Sequence, residues 1–200
     1  MNEGNKERDV KIILLGDSGV GKTSIIKRFI NNTFNPEEKS SIGSKSNDKK
    51  VIINNITYKV VIWDTSGQEV YHSLTNLFIK GSNIVILVYS IESYESFENL
   101  KYWHECLKDK VDENSYILAV VANKSDLVDD EAVSEEDGKK FAEEKKAIFK
   151  LVSAKEDPKG IKYLFEMLLN ELIKNKPYFD DNQSTVLSKK RIRKVRKKCC

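Results

Sequence analysis

Eight consecutive residues, Gly16-Asp17-Ser18-Gly19-Val20-Gly21-Lys22-Thr23, have the make-up of a phosphate cradle. Glycines let the backbone curl until successive N–H groups point at one oxyanion. Lys22 adds a compact positive charge, and the Thr23 hydroxyl is a hard oxygen suited to Mg²⁺. Residues 24–30, beginning with Ser24, read as a helix whose positive end would face the same anion. A glycine-rich turn between strand and helix would match the pattern without the chemistry, so the choice rests on what else the chain carries.

Two further groups of residues supply that context. Asn123-Lys124-Ser125-Asp126 follows the apolar run 116–122. This places it at a strand's carboxyl edge, where open α/β sheets bind ligands. A carboxylate accepts only, so Asp126 suits the paired N1–H and exocyclic amine of guanine. Adenine offers no such pair and would leave Asp126 without a partner, the circumstance in which a polar site rejects a wrong ligand strongly. Ser153-Ala154-Lys155, after the apolar run 148–152, is a weaker companion signal. Trp63-Asp64-Thr65-Ser66-Gly67-Gln68-Glu69 ends a strand in a carboxylate and offers a glycine N–H able to approach a terminal phosphate and an amide able to orient water. By itself it also reads as an ordinary turn.

These loops need strands and helices to hold them. Residues 10–15, 84–89 and 116–122 are short Val/Ile-rich runs of the kind buried on both faces of a parallel sheet. Residues 51–53 and 56–63 flank Asn54-Asn55, a two-residue hairpin turn. Helical spacing relates Leu100, Trp103 and Leu107 within residues 93–111, and Ile161, Leu164, Phe165, Leu168 and Leu172 nearer the end. Ser134, with Asp137 three residues on, marks a helix start. Strands alternating with helices predict an α/β sheet covered on both faces.

With the motifs in this order, the chain resembles the Ras superfamily of small GTPases, and within it the Rab family. WDTSGQE is one residue from the Rab-like WDTAGQE, and residues 84–89 followed by 95–99 (ESFEN) are also similar to Rab. The resemblance implies an α/β, P-loop NTPase-like three-layer fold with a six-stranded, mostly parallel sheet and helices on both faces. It implies a domain over 9–176, between a flexible arm at 1–8 and a flexible basic tail at 177–200. GTP, GDP and Mg²⁺ are the implied ligands. Asp17, Ser18, Gly19, Val20, Gly21, Lys22, Thr23 and Ser24 would hold phosphates, together with Gly67. Thr23 and Ser41 would bind Mg²⁺ directly and Asp64 through water. Phe34 would stack on the base, with Asn123, Lys124, Asp126, Ser153, Ala154 and Lys155 completing the site. Gln68 would position the attacking water.

The implied activity is slow GTP hydrolysis, set by activator and exchange proteins and read by effectors in membrane traffic. Residues 35–47 and 67–80, poor in periodicity, are the expected switches. The first of them departs from the family pattern. Ser41 keeps the hydroxyl but lacks the β-methyl of the usual Thr, which predicts looser ordering of this segment. A scaffold that binds GTP or GDP and hardly hydrolyses is the alternative this raises.

Net charge is +3, from 34 basic and 31 acidic residues, and conceals an asymmetry. Residues 189–198 hold eight basic groups; without them the body has 26 against 31, a net −5. An acidic body excludes a uniformly basic nucleic-acid binder. The tail finishes in Cys199-Cys200, which is similar to the Rab ending that receives two geranylgeranyl groups. One lipid holds a protein marginally to a bilayer, whereas two lipids, or one plus basic charge, hold it stably. Prenyl escort and extraction proteins and a membrane surface are therefore implied partners of an otherwise monomeric chain. No apolar run approaches the length of a bilayer span. The opening MNEGNKERD has no leader-like apolar centre. With one other cysteine, Cys106, the chain reads as belonging to a reducing compartment, the cytosol, and the resemblance implies anchoring on the cytoplasmic face of endomembranes. His72, His104 and Trp103 read as surface, helix or core residues.

Overall fold

The computed structural model describes residues 7–38, 45–65, 79–108, 111–112 and 115–175. Six strands alternate with helices among them: β1 (Arg8–Leu15), α1 (Lys22–Asn31), β2 (Lys45–Ile53), β3 (Ile56–Asp64), β4 (Ile84–Ser90), α2 (Tyr94–Glu98), α3 (Leu100–Lys108), β5 (Ile117–Asn123), α4 (Glu135–Glu144), β6 (Ile148–Leu151) and α5 (Pro158–Asn175). They form one sheet in the order β2-β3-β1-β4-β5-β6, antiparallel between β2 and β3 and parallel elsewhere.

Alternation along β1 and β4 divides the core in two. Ile12, Leu14, Ile84, Ile86 and Val88 face α1 and α5, where the rings of Phe29 and Phe165 stack 3.9 Å apart. Ile13, Leu15, Val85, Leu87 and Tyr89 face α3 and α4 through Leu100, Trp103, Leu107 and Phe141. Every residue of β4 is buried, as its unbroken apolar sequence requires of a central parallel strand. The expected three-layer α/β fold is therefore the observed one.

The Asn54-Asn55 turn is also as expected: both residues have positive φ, 51° and 63°, which matches the twist of the strands it joins. Ser134 caps α4, its hydroxyl accepting from the Asp137 N–H at 3.1 Å. Leu100, Trp103 and Leu107, related by helical spacing, all lie on one helix, α3, which follows the short α2 across Asn99. Residues 45–47, at the end of the expected first switch, open β2. Pairing of Lys45 with Asp64 and Ser46 with Trp63 carries the strand through a polar stretch that has no apolar signal of its own.

The parallel strands β1, β4, β5 and β6 all run the same way. The loops after them, beginning at Gly16, Ile91, Lys124 and Val152, therefore gather on one edge.

Candidate functional site

A cavity of about 370 Å³ opens on that edge, in the range of small-ligand sites. Ser18, Gly19, Gly21, Lys22, Thr23 and Ser24 form one wall; Phe34, Asn123, Lys124, Asp126, Ala154 and Lys155 line it as well. Four of the expected residues stand behind this lining. Asp17 and Val20 border a second hollow across the loop, Asp64 contacts Thr23, and Ser153 contacts Asp126. Ser41, Gly67, Gln68, Cys199 and Cys200 lie outside the described residues.

The phosphate-type wall is built from backbone geometry. Gly16 has φ +145°, and a Cβ there would fall 2.1 Å from the Val88 carbonyl oxygen. Gly21 has φ +93°, and its Cβ would meet Asn123 Nδ2 at 2.3 Å. Only glycine allows the loop to pack so closely on β4 and β5. Helix α1 begins with no side-chain cap hydrogen bond at Gly21 and no acidic residue in its first turn, so the positive end of its dipole is not answered there by a carboxylate.

Lys22 is 5% exposed, and its ammonium donates to the carbonyls of Gly16 and Asp17, each at 2.7 Å. Burial pushes its pKa down from 10.5 to about 8, against the opposing pull of the Asp64 and Asp17 carboxylates. It stays protonated at neutral pH, a buried cation that gains most from an arriving anion.

Thr23 Oγ1 donates to Asp64 Oδ2 at 2.7 Å, and Asp64 is 5% exposed. This places a hydroxyl and a carboxylate, both hard oxygens, beside the cradle. No group of three or more His, Cys, Asp or Glu able to hold a metal occurs among the described residues. The donor set fits Mg²⁺, which takes few protein oxygens and shares its coordination with phosphates and water.

At the other end, the Asp126 carboxylate is held by a hydrogen bond on one oxygen and faces a half-exposed cation with the other. Ser153 donates to Oδ1 at 2.5 Å, and the Lys155 ammonium lies 3.6 Å from Oδ2. Lys124 adopts φ +63°, a left-handed conformation that costs a non-glycine residue free energy and turns the chain sharply after β5. Asn123 is a strut. Its Nδ2 donates to Val20 O at 2.8 Å, and its Oδ1 accepts from the Ala154 N–H at 3.2 Å. The phosphate loop and the 153–155 loop are thus tied through one buried amide.

Several residues of the site have no signal in the linear sequence. Arg28 on α1 donates through Nε to Ala154 O at 2.8 Å and through Nη2 to Lys155 O at 3.0 Å, with its guanidinium 5.9 Å from the Phe34 ring centroid. Glu92, in the loop after β4, accepts from the Lys124 ammonium. Asn99 and Trp103 donate to Asp17. Glu38, which lines the cavity, pairs with Lys27 at 2.6 Å. Arg28 joins α1, Phe34 and the 153–155 loop, so its loss frees all three. Replacing Arg28 with Ala is expected to speed release of a bound guanine nucleotide about tenfold, the equivalent of one lost hydrogen bond of intermediate strength. Displacement of a fluorescent guanosine diphosphate measures it, and an unchanged release rate would deny Arg28 this role.

Comparison with known proteins gives a consistent result. The Ras family model matches residues 11–174. The chain is 36% identical over 193 residues to "Ras-related protein Rab-31" of Homo sapiens, covering 96% of this chain and 98% of the relative. It is 34% identical over 197 residues to "Ras-related protein RABF2b" of Arabidopsis thaliana, covering 98% of each. With "Ras-related protein Rab11B" of Nicotiana tabacum it shares 39% identity over 164 residues, 82% of this chain and 75% of the relative.

Proposed function

Since this chain belongs to the Ras family, within its Rab branch, we propose that it is a GTP-hydrolysing switch for vesicle traffic whose nucleotide occupies the cavity at the sheet's carboxyl edge. The observation that carries the reading is the lining of that cavity. A buried ammonium with a helix start that lacks a side-chain cap forms one part, and a buried carboxylate held by Ser153 forms another. Anion donors and a pure acceptor in one cavity suit a guanine nucleotide, with phosphates and base each meeting complementary groups.

In this reading the loop amides and Lys22 take the phosphates, Asp126 takes the N1–H and amine of the base, and Phe34 covers its face. Thr23 and Ser41 would hold Mg²⁺, with Asp64 behind them through water. That ion, when bound, supplies neutralising charge at the phosphates. Gln68 orients the attacking water, and hydrolysis proceeds by positioning and charge stabilisation with no covalent step on the protein. Departure of the terminal phosphate releases the segments around Ser41 and Gly67, which is what an effector reads. The relatives do not favour the alternative of a scaffold that barely hydrolyses.

No helix among the described residues is long and apolar enough to cross a membrane. Membrane attachment is assigned to prenylation of Cys199 and Cys200 beside the basic block of residues 189–198, with escort and extraction proteins moving a monomeric chain between cytoplasm and endomembranes.

Single-turnover hydrolysis of bound GTP tests the catalytic half. The parent protein is expected to convert GTP to GDP slowly. Gln68→Leu is expected to cut the rate by at least about tenfold while still binding nucleotide, since a mispositioned water loses the benefit of alignment. Equal rates in parent and variant would remove Gln68 from the mechanism, and no conversion in the parent would remove the hydrolase.

A further inference from the structure

Asp17 belongs to the phosphate loop but does not line the nucleotide cavity. Its carboxylate reaches back across the sheet edge to the helices that follow β4. Oδ2 accepts from Asn99 Nδ2 at 2.7 Å, and Oδ1 accepts from Trp103 Nε1 at 2.8 Å. Asn99 stands at the junction of α2 and α3. Trp103 is one turn further on, its backbone N–H bonded to the Asn99 carbonyl at 3.1 Å. Both donors therefore present from one helix face. Trp103 is 4% exposed, and a buried indole N–H needs an acceptor. Here the acceptor is an ionisable carboxylate held by two neutral donors, the stronger class of hydrogen bond.

The main chain of the same residue does something else: the Asp17 carbonyl accepts from the Lys22 ammonium at 2.7 Å. One residue thus fastens its side chain to a helix packed in the core and its backbone to the cation of the cradle. A loop fixed in this way already has its geometry when the ligand arrives, so less ordering remains to be done on binding.

We infer that Asn99 and Trp103 are positioning residues for the polyphosphate end of the nucleotide. They act through Asp17, whose carbonyl aims Lys22. The inference rests on the reading above that the 16–23 loop receives phosphates. It predicts a defect confined to that end. Asp126 and Phe34, which in this reading serve the base, are held instead by Ser153, Lys155 and Arg28.

Affinities for GMP, GDP and GTP, measured by competition on the full chain with Mg²⁺, supply the test. Trp103→Phe keeps a ring in the core and removes the N–H. Asp17→Asn keeps the side-chain shape but turns an NH₂ group toward one donor. Each is expected to weaken GDP and GTP about tenfold, the scale of one charge-assisted hydrogen bond, and to leave GMP within about twofold. The double variant is expected to lose less than the two single losses combined, because both changes act on the Asp17 carboxylate. A general loss of stability would lower all three affinities together, and that result, unchanged GDP affinity or additive losses would each overturn the inference. Should Trp103→Phe fail to fold, Asp17→Asn with Asn99→Ala tests the other donor of the clamp in the same way, with the same expected outcome. Lys22→Ala serves as the reference. If it leaves the preference for GDP over GMP intact, the phosphate reading itself falls, and this inference with it.

Discussion

Asp126→Asn is expected to lower affinity for guanine nucleotides about a thousandfold and to raise affinity for the corresponding xanthine nucleotides. The carboxylate can accept from both N1–H and the amine on C2 of guanine. Asparagine keeps one acceptor but directs its NH₂ group at the guanine amine, which sets donor against donor. Hydrogen bonds to a charged group contribute about 1.5–3 kcal/mol each, so losing their benefit and gaining a clash amounts to about 4 kcal/mol, the equivalent of a thousandfold. Xanthine carries a carbonyl at C2, which accepts from the same NH₂ group, while its N1–H still donates. The surroundings tolerate the change. The Ser153 hydroxyl still finds an acceptor in the amide oxygen, and the half-exposed Lys155 side chain can turn to solvent. Competition between GDP and xanthosine diphosphate for a fluorescent nucleotide reads the exchange of preference. If both ligands weaken alike, Asp126 supports the fold without selecting the base.

Replacing Cys199 and Cys200 together by Ser is expected to move the protein almost entirely from membrane pellet to supernatant when it is made in cells that prenylate. A buried lipid chain contributes about 0.8 kcal/mol per CH₂ group, and two chains anchor stably where one is marginal. The eight basic residues at 189–198 add about 1 kcal/mol each only near an anionic surface, and salt screens that attraction. Charge alone therefore gives binding that dissolves at high ionic strength. Either single substitution is expected to leave an intermediate, salt-sensitive fraction. Pelleting of the double variant equal to the parent would show that lipid is not the anchor.

Legibility in the sequence followed how local each interaction is. The phosphate loop is a contiguous run whose glycines at 16 and 21 announce positive φ and close packing, so eight letters define it. Asp126 was readable because it stands three residues past the end of a strand, at the edge where the loops gather. Central strands were readable because burial on both faces leaves unbroken apolar runs such as residues 84–89. The supporting contacts were not. Arg28 meets Ala154 across 126 positions, and Trp103 meets Asp17 across 86; nothing in either residue's neighbours marks a polar partner so far away. Trp103 displayed only its apolar period, although its ring packs in the core while its N–H serves the loop. Asn123 was expected as part of the nucleotide site, but its role as a strut between two loops needed the fold. The first residues of β2 were hidden for a different reason: their alternation is polar, and pairing with β3 supplies the order.

The central claim is that a guanine nucleotide bridges the Lys22 and Asp126 ends of this cavity. Its most direct measurement is the identity of what the protein carries after gentle purification in Mg²⁺, released by denaturation and separated by chromatography. Guanine nucleotide at close to one per chain is the expected result, with GDP predominating after slow hydrolysis. Adenine nucleotide in its place, or an empty protein that added GDP does not fill, would contradict it.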